Sequence, residues 1–420
     1  MKGKTVLMAG AAVLALAVTA GNAYARAGDS NDPKWNDQAS TGPTNAELEA
    51  RIEALEAEVQ SAEMNQAKDR DALGAATTAL TGWWNNTSIS GRVYFDLSNI
   101  ENKNDGVANP SNGFHFDIKR FYLGIDHKFD DVWSANVTTD FNYDSGPAGA
   151  TQLYIKKAYL QGKFADAAVL RLGAADLPWI PFVEDVYGYR YVENTLVDRI
   201  KYGTSSDWGV HLGGKFGNPD GVLFEYQIAA VNGAGYKKPG IGLGTNRSKG
   251  MDFEGRVDVK YANFIAAIGG YTGKLGKDLG PLTTFHTASR IDALVGYVGN
   301  GIHAGVEYYH DNNFDTVTAL PSDKGDGWSV FGAYQFTPEW AVFGRYDSTK
   351  PTKSLQPAFT NRYYNIGVEW TPVKIVNLSV VYKRDEGSAG GVIGDSNGTI
   401  GGPLTGGAYD EIGLFAQFRW

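Results

Sequence analysis

Tyr409-Asp410-Glu411-Ile412-Gly413-Leu414-Phe415-Ala416-Gln417-Phe418-Arg419-Trp420 is the stretch whose reading decides the fold. In an extended chain Ile412, Leu414, Ala416, Phe418 and Trp420 share one face, while Glu411, Gly413, Gln417 and Arg419 share the other with Phe415. Such a strand is built to stand between oil and water. The same alternation opens the series, where Ile89, Gly91, Val93, Phe95 and Leu97 oppose Ser90, Arg92, Tyr94 and Asp96. Between these two, segments of this kind fill the chain, at 87–98, 114–127, 132–143, 151–164, 168–176, 207–215, 222–232, 250–262, 264–272, 286–298, 302–311, 326–337, 339–348, 360–372, 376–385 and 409–420.

The connections between these segments alternate between short and long. Brief turns fall at 128–131, 165–167, 217–221, near 263, at 299–301, at 338 and at 373–375. Long ones fall at 99–113, 177–206, 233–249, 273–285, 312–325, 349–359 and 386–408, with 144–150 the brief exception. Aromatic residues gather beside the short turns: Phe129, Trp133, Phe164, Phe216, Phe336, Trp340, Trp370 and Trp420. Hydrocarbon leaves no backbone N–H or C=O unpaired, so strands facing lipid must close on themselves. The expected fold is all-β, a 16-stranded antiparallel transmembrane β-barrel with an aromatic girdle, preceded by a short N-terminal coiled-coil helix.

Composition agrees. Among 420 residues there are 53 Gly and no Cys, which fits tight turns and excludes disulfides, thiol catalysis and Cys-ligated metals. Lys plus Arg number 38 against 47 Asp plus Glu, a net of -9 that argues against nucleic acid as a partner.

Ahead of the strands, Lys2 and Lys4 precede an apolar run from Val6 to Val18 and the Ala23-Tyr24-Ala25 cleavage pattern, so residues 1–25 read as a secretory signal peptide. Residues 26–43 are polar and read as a disordered lead-in. Thr44 and Glu47 then form a capping box. Leu48, Ile52, Leu55, Val59 and Ala62 follow, spaced alternately four and three apart, and the register continues through polar Gln66 and Asp69 to Leu73, Ala76 and Leu80. This predicts a periplasmic helix over 44–82 with a coiled-coil seam, and the barrel over 87–420. The other reading is a single amphipathic helix lying on its own barrel.

The inward strand faces carry charges of both signs. The basic set is Arg92, Arg120, Lys157, Arg171, Lys215, Arg256, Lys260, Arg290, Arg345, Lys383 and Arg419. The acidic set is Asp96, Asp126, Asp140, Glu225, Glu254, Asp258, Asp292, Glu307, Asp347, Glu369 and Glu411. Opposed charges across a wet pore set selectivity without covalent chemistry. Strand phase at the outer ends of the second and fourth strands leaves His115, Lys119 and Lys156 unassigned to either face. Sixteen strands enclose more space than their side chains fill, and 177–206 is the segment expected to narrow it. It holds Trp179, Ile180 and Phe182, then Glu184, Asp185, Tyr187, Tyr189, Arg190, Tyr191, Glu193 and Arg199, too apolar and aromatic to stand in water.

Arg120-Phe121-Tyr122-Leu123-Gly124, Trp133-Ser134-Ala135 leading into Thr139-Asp140-Phe141, and Ala158-Tyr159-Leu160-Gln161 with Leu172-Gly173 resemble the early strands of the phosphate-selective porin O and P family. The resemblance runs over the barrel, most clearly from about 114 to 216. It implies a trimeric channel of the outer membrane with inward-folded loops and anion preference through lumenal Arg and Lys, with Arg120 one of them. The sequence departs where the family often has a Lys a few residues after the fifth-strand Gly: Gly173 is followed by Ala174, Ala175 and Asp176.

Other motifs carry less. Gly394-Asp395-Ser396-Asn397-Gly398 has the nucleophile-elbow spacing without the strand-turn-helix it needs, and Gly240, Gly242 and Gly244 lack the context of a phosphate-binding turn. His303 and Glu307 share a strand face but stand well apart along it, and nothing demands a cofactor. The reading is an outer-membrane porin, not an enzyme, passing small hydrophilic solutes by diffusion, anions such as phosphate among them, with outer-membrane lipid as partner and, as the resemblance implies, two further copies of itself. The alternatives are a non-selective or carbohydrate-type porin, a barrel hydrolase, and an envelope tether; deleting 44–80 separates the last, since a porin still conducts without it.

Overall fold

In a computed structural model of the chain, the described residues are 44–104, 106–110, 112–143, 151–237, 249–278, 285–318, 321–388 and 407–420. The signal peptide, the lead-in, the elbow-like 394–398 and the glycines at 240–244 lie outside them. The chain forms two compact units that meet at Thr77/Thr78.

The first unit is most of one helix, α1, Asn45–Asn85. Its start follows from the capping box: Thr44 N–H donates to Glu47 Oε2 at 2.8 Å and Glu47 N–H donates to Thr44 Oγ1 at 3.3 Å. The helix continues three residues past 82, through Trp83 and Trp84. Leu48, Ile52, Leu55 and Val59 are 43–59% exposed, and among the described residues no second helix lies on the seam they form. Neither α1 nor any other helix among the described residues is long and apolar enough to cross a membrane.

The second unit is a closed sheet of sixteen antiparallel strands. They are β1 Thr87–Asn104, β2 Gly113–Lys128, β3 Trp133–Tyr143, β4 Thr151–Ala165, β5 Ala168–Asp176, β6 Ser206–Gly217, β7 Val222–Val231, β8 Asp252–Tyr261, β9 Phe264–Gly273, β10 Ala288–Gly299, β11 Ile302–Asn312, β12 Lys324–Gln335, β13 Trp340–Lys350, β14 Thr360–Val373, β15 Val376–Ser388 and β16 Gly407–Arg419. A two-residue strand, Val107–Ala108, folds back on the outer end of β1. Each strand pairs with the next, and β1 pairs with β16 from Arg92↔Arg419 to Asn104↔Gly407, which closes the ring. The closed ring has no terminal strand.

Local chemistry makes the hairpins. Asn300 and Gly301, both at positive φ (53° and 74°), form the two-residue turn whose twist matches its flanking strands, and no bulkier pair adopts it as cheaply. Gly173, at φ 126°, lies so close to β4 that a Cβ would sit 2.2 Å from the carbonyl oxygen of Ala158. The outward faces are apolar: Ile268, Ile291, Val295, Ile366 and Val380 are all more than 60% exposed. Beside the short turns the rings pair, Trp133 with Phe164 at 5.7 Å, Trp340 with Trp370 at 6.0 Å and Phe418 with Trp420 at 5.6 Å.

Between β5 and β6 run two short helices, α2 Ile180–Tyr187 and α3 Leu196–Arg199. Their segment bonds to side chains of β2 and of β8 round to β15, on opposite arcs of a closed ring. It therefore lies inside the barrel.

Candidate functional site in the barrel lumen

Two β-bulges shape the inner wall. Tyr94 faces Arg120 and Phe95 faces Ile118, which leaves Lys119 as the extra residue on β2. Thr138 faces Lys157 and Thr139 faces Ile155, which leaves Lys156 as the extra residue on β4. A bulge turns two successive side chains to one side. Hence Lys119 and Arg120 both point inward, the first to Asp96 (3.1 Å) and the second to Asp140 (3.5 Å). Lys156 and Lys157 likewise reach the Tyr122 hydroxyl (3.1 Å) and Asp176 (2.9 Å). Simple alternation could not assign Lys119 and Lys156, because an inserted residue shifts the phase.

The inserted segment fills the lumen against β8 to β16. Trp179, Ile180, Val183, Val186, Leu196 and Val197 are buried with Leu294, Phe331, Phe343 and Phe415 from the strands. The indole N–H of Trp179 donates to Glu307 (2.9 Å), and its backbone N–H donates to Glu254 (3.1 Å). Arg199 is the main latch. Its guanidinium donates to Asp347 (2.9 Å), Asp385 (3.0 Å) and Asn361 (3.0 Å), and lies over the Tyr363 ring at 4.6 Å. Lys383 bridges Glu193 (3.4 Å) and Glu411 (3.1 Å), Arg345 donates to Asp347 and to the Asn194 carbonyl, and Arg290 donates to Asp292 and to the Tyr202 carbonyl. Tyr191 donates to Glu369, and Arg256 donates to the Pro178 carbonyl at 2.6 Å.

This placement differs from the expectation that the inward charges line water. Arg290, Arg345, Asp96, Asp140, Glu254, Asp258, Asp292, Glu307 and Asp347 are buried, held by the segment or by charges of the wall itself, as Asp96 is by Lys119, Asp140 by Arg120 and Asp258 by Arg256. Within the segment Tyr187, Tyr189, Arg190, Tyr191, Glu193 and Arg199 are buried too. The physical reason is that an inserted loop which carries its own charges pairs with the wall and dries it. Glu184 and Asp185 remain at the segment's free edge.

That edge bounds the part of the lumen left open, a cavity of about 630 Å³. Arg92, Tyr122, Lys156 and Lys157 stand on its wall, with Asp126 and Asp176, and Glu184 and Asp185 face them. Arg190 holds the edge, donating to Glu184 at 2.6 Å and to Asp198 at 3.5 Å. Further along the wall Arg171 donates to Gln161 (2.8 Å), and Lys260 pairs with Glu225 (2.8 Å). Lys215, next to Arg171 and Lys163 in a smaller cavity, is exposed. Among the described residues no three His, Asp or Glu side chains converge as a metal site.

The sequence matches no protein-family profile and no curated protein. Solved structures match over most of the chain. An anion-selective porin from Comamonas acidovorans superposes with a TM-score of 0.57 at 13% identity, covering 80% of this chain and 99% of that one. The fold is that of the outer-membrane porins. The channel DcaP of Acinetobacter baumannii (TM-score 0.51, 13% identity, 80% of this chain and 97% of that one) and OmpF of Salmonella typhi (0.51, 13%, 79% and 97%) share it. The architectural part of the resemblance drawn from the early strands holds, since this chain is a 16-stranded barrel and the matches are to porins of several kinds.

Proposed function

We propose that the protein is an outer-membrane porin of a Gram-negative envelope, a non-enzymatic channel through which small hydrophilic solutes diffuse, with anions such as phosphate favoured. One observation carries this reading. Glu254, Glu307, Asp347 and Glu369 are taken by the inserted segment, whereas Arg92 and Lys157 stand on the wall of the open cavity and Arg171 and Lys260 stay half-exposed further along it. A low-dielectric wall focuses the field of such cations into the water between them. Segment 177–206 acts as the constriction, with Glu184 and Asp185 as its narrow edge. The departure after Gly173, where Ala174, Ala175 and Asp176 stand in place of a lysine, makes the reading anion-favouring rather than phosphate-specific.

The finer expectations belong to the same proposal: export by a cleaved signal, a homotrimer of barrels, and α1 in the periplasm as one strand of a parallel coiled coil. The exposed Leu48, Ile52, Leu55 and Val59 support that last point, because an apolar seam of this spacing is stable only when covered. Reversal potentials across a planar bilayer in a KCl gradient test the function. A chloride-directed potential is expected, and well-folded protein that fails to conduct refutes the reading.

A further inference from the structure

On the outside of the barrel, in the part of the wall nearer the long loops, two glycines stand side by side: Gly255 of β8 pairs with Gly270 of β9. The same row continues to Ile228 on β7 and to Ile291 on β10, which project outward and are 51% and 65% exposed. Two missing side chains between two projecting ones leave a groove of about 570 Å³. The inward residues of these strands, Glu254, Tyr271 and Arg290, are buried, so the groove opens away from the lumen. One row towards the short turns, the outward pair Val257 and Ile268 restores the wall. One row towards the long loops, the lining becomes polar after Phe253, with Thr272, Ser289 and Asn312 in register. Asn312 Nδ2 donates to Ser289 Oγ at 3.3 Å, and His310, paired with Ile291, completes that end.

From this shape we infer that the groove seats one acyl chain of an outer-leaflet glycolipid, with the chain's hydroxyl- and amide-bearing head against Thr272, Ser289, His310 and Asn312. The inference rests on the outer-membrane reading and names a lipid that the reading leaves open. Continuity decides the class of occupant. The groove interrupts the apolar wall that a barrel of this kind turns to hydrocarbon, so a chain from the adjoining lipid fills it without leaving the bilayer. An empty groove would leave Ile228, Phe253 and Ile291 without partner atoms on one side, and a flexible chain restores those contacts. Polarity fixes its direction: the apolar end lies deeper and the polar end lies where the long loops begin, so the chain enters from the outer leaflet. The head follows from the donors. Hydroxyls and an amide both donate and accept, which suits a hydroxylated, amide-linked chain better than an ester, which only accepts.

The test is native mass spectrometry on the full-length protein, taken into detergent from vesicles of phosphatidylethanolamine that contain lipid A. The wild type is expected to retain lipid A on each barrel, about ten-fold more than phosphatidylethanolamine, as one added hydrogen bond allows. A Cβ at Gly255 meets nothing closer than 3.6 Å, so Gly255→Leu fills the groove without straining the sheet. It should lower retained lipid A about ten-fold, since the apolar surface that the chain covers is then taken. Ile366→Leu, on the outward face of β14, should retain as much as the wild type. No retained lipid A, equal retention of the two lipids, or a Gly255→Leu variant that matches the wild type overturns the groove. The chain has no Cys, so Thr272→Cys carries a single thiol and is expected to stay unlinked under oxidant; a disulfide between copies would mean that a second barrel covers this face, and also overturns it. Failure of the same protein to insert and conduct overturns the outer-membrane reading instead. The wild-type comparison decides the matter even where a variant fails to fold.

Discussion

The two sides of the lumen are built from the same residue types and end in opposite states. Against β8 to β16 the charges are dry and each buried cation has carboxylate partners: Arg199 with Asp347 and Asp385, Lys383 with Glu193 and Glu411, Arg290 with Asp292. Against β1 to β5 some cations are paired, as Lys119 is with Asp96, but Arg92 and Lys156 border the open cavity without a carboxylate partner. The difference is the inserted segment. Where it docks, charge serves architecture; where it stops, charge faces the open lumen.

The comparison breaks most visibly at its latch. Arg199→Ala leaves Asp347 and Asp385 buried without their shared partner, and removing one member of a buried pair costs about 3–5 kcal/mol. The variant is expected to lose the segment's docking, conduct more than wild type, and unfold at lower temperature on semi-native gels. Unchanged conductance would mean that the apolar contacts of Trp179 and its neighbours hold the segment unaided.

Next in size is selectivity. Arg92→Glu together with Lys157→Glu reverses two charges on the open wall, so the reversal potential should move towards cations by tens of millivolts in a ten-fold gradient. Arg120→Glu with Arg171→Glu should act in the same direction. Arg290→Met, on the dry side, should leave the potential alone and lower stability instead. If the dry-side and open-side variants shift the potential equally, the two regions do not differ in the way proposed.

Much of this was legible beforehand for a simple reason. A period of two survives along most of the strands, because one face meets lipid and cannot tolerate a charge, so the ring and most of its inward charges follow from Ile412 and its counterparts alone. The burial of 177–206 was legible from its Trp and Tyr content. Lys119 and Lys156 were hidden because a bulge is a pairing event between two strands and leaves no mark in either one read singly. Nor could alternation show that Arg290 and Asp347 are dry. That depends on which strands the loop reaches, and partners such as Asp385 and Asn361 lie more than 160 residues away from Arg199.

A smaller effect is expected from α1. Removing 44–80 should leave conductance and reversal potential unchanged, since every lumenal contact described lies within the second unit, and should lower the fraction of trimer on crosslinking. A channel that closes without the helix would tie α1 to gating.

The smallest effect lies in the outer loops, at a carboxylate that belongs to neither side of the lumen. Asp323 accepts the backbone N–H groups of Lys324 (2.8 Å), Ser354 (2.8 Å) and Leu355 (3.4 Å), joining the loop after β11 to the loop after β13. Burial alone would raise its pKa, but hydrogen bonds from Thr352 and these N–H groups outweigh it and hold the carboxyl below the ordinary carboxylate range. A carboxylate with a depressed pKa stabilises the folded form above its unfolded pKa, and the contribution fades as pH falls through the lower, folded value. The clamp should therefore be intact at neutral pH and at pH 5, and open only in strong acid. Asp323→Asn at neutral pH should cost about 1 kcal/mol of local stability. Trypsin should then cut at Lys353 several-fold faster than in wild type while the reversal potential stays as it was; equal cleavage rates would show that the two outer loops are held together by something other than this side chain.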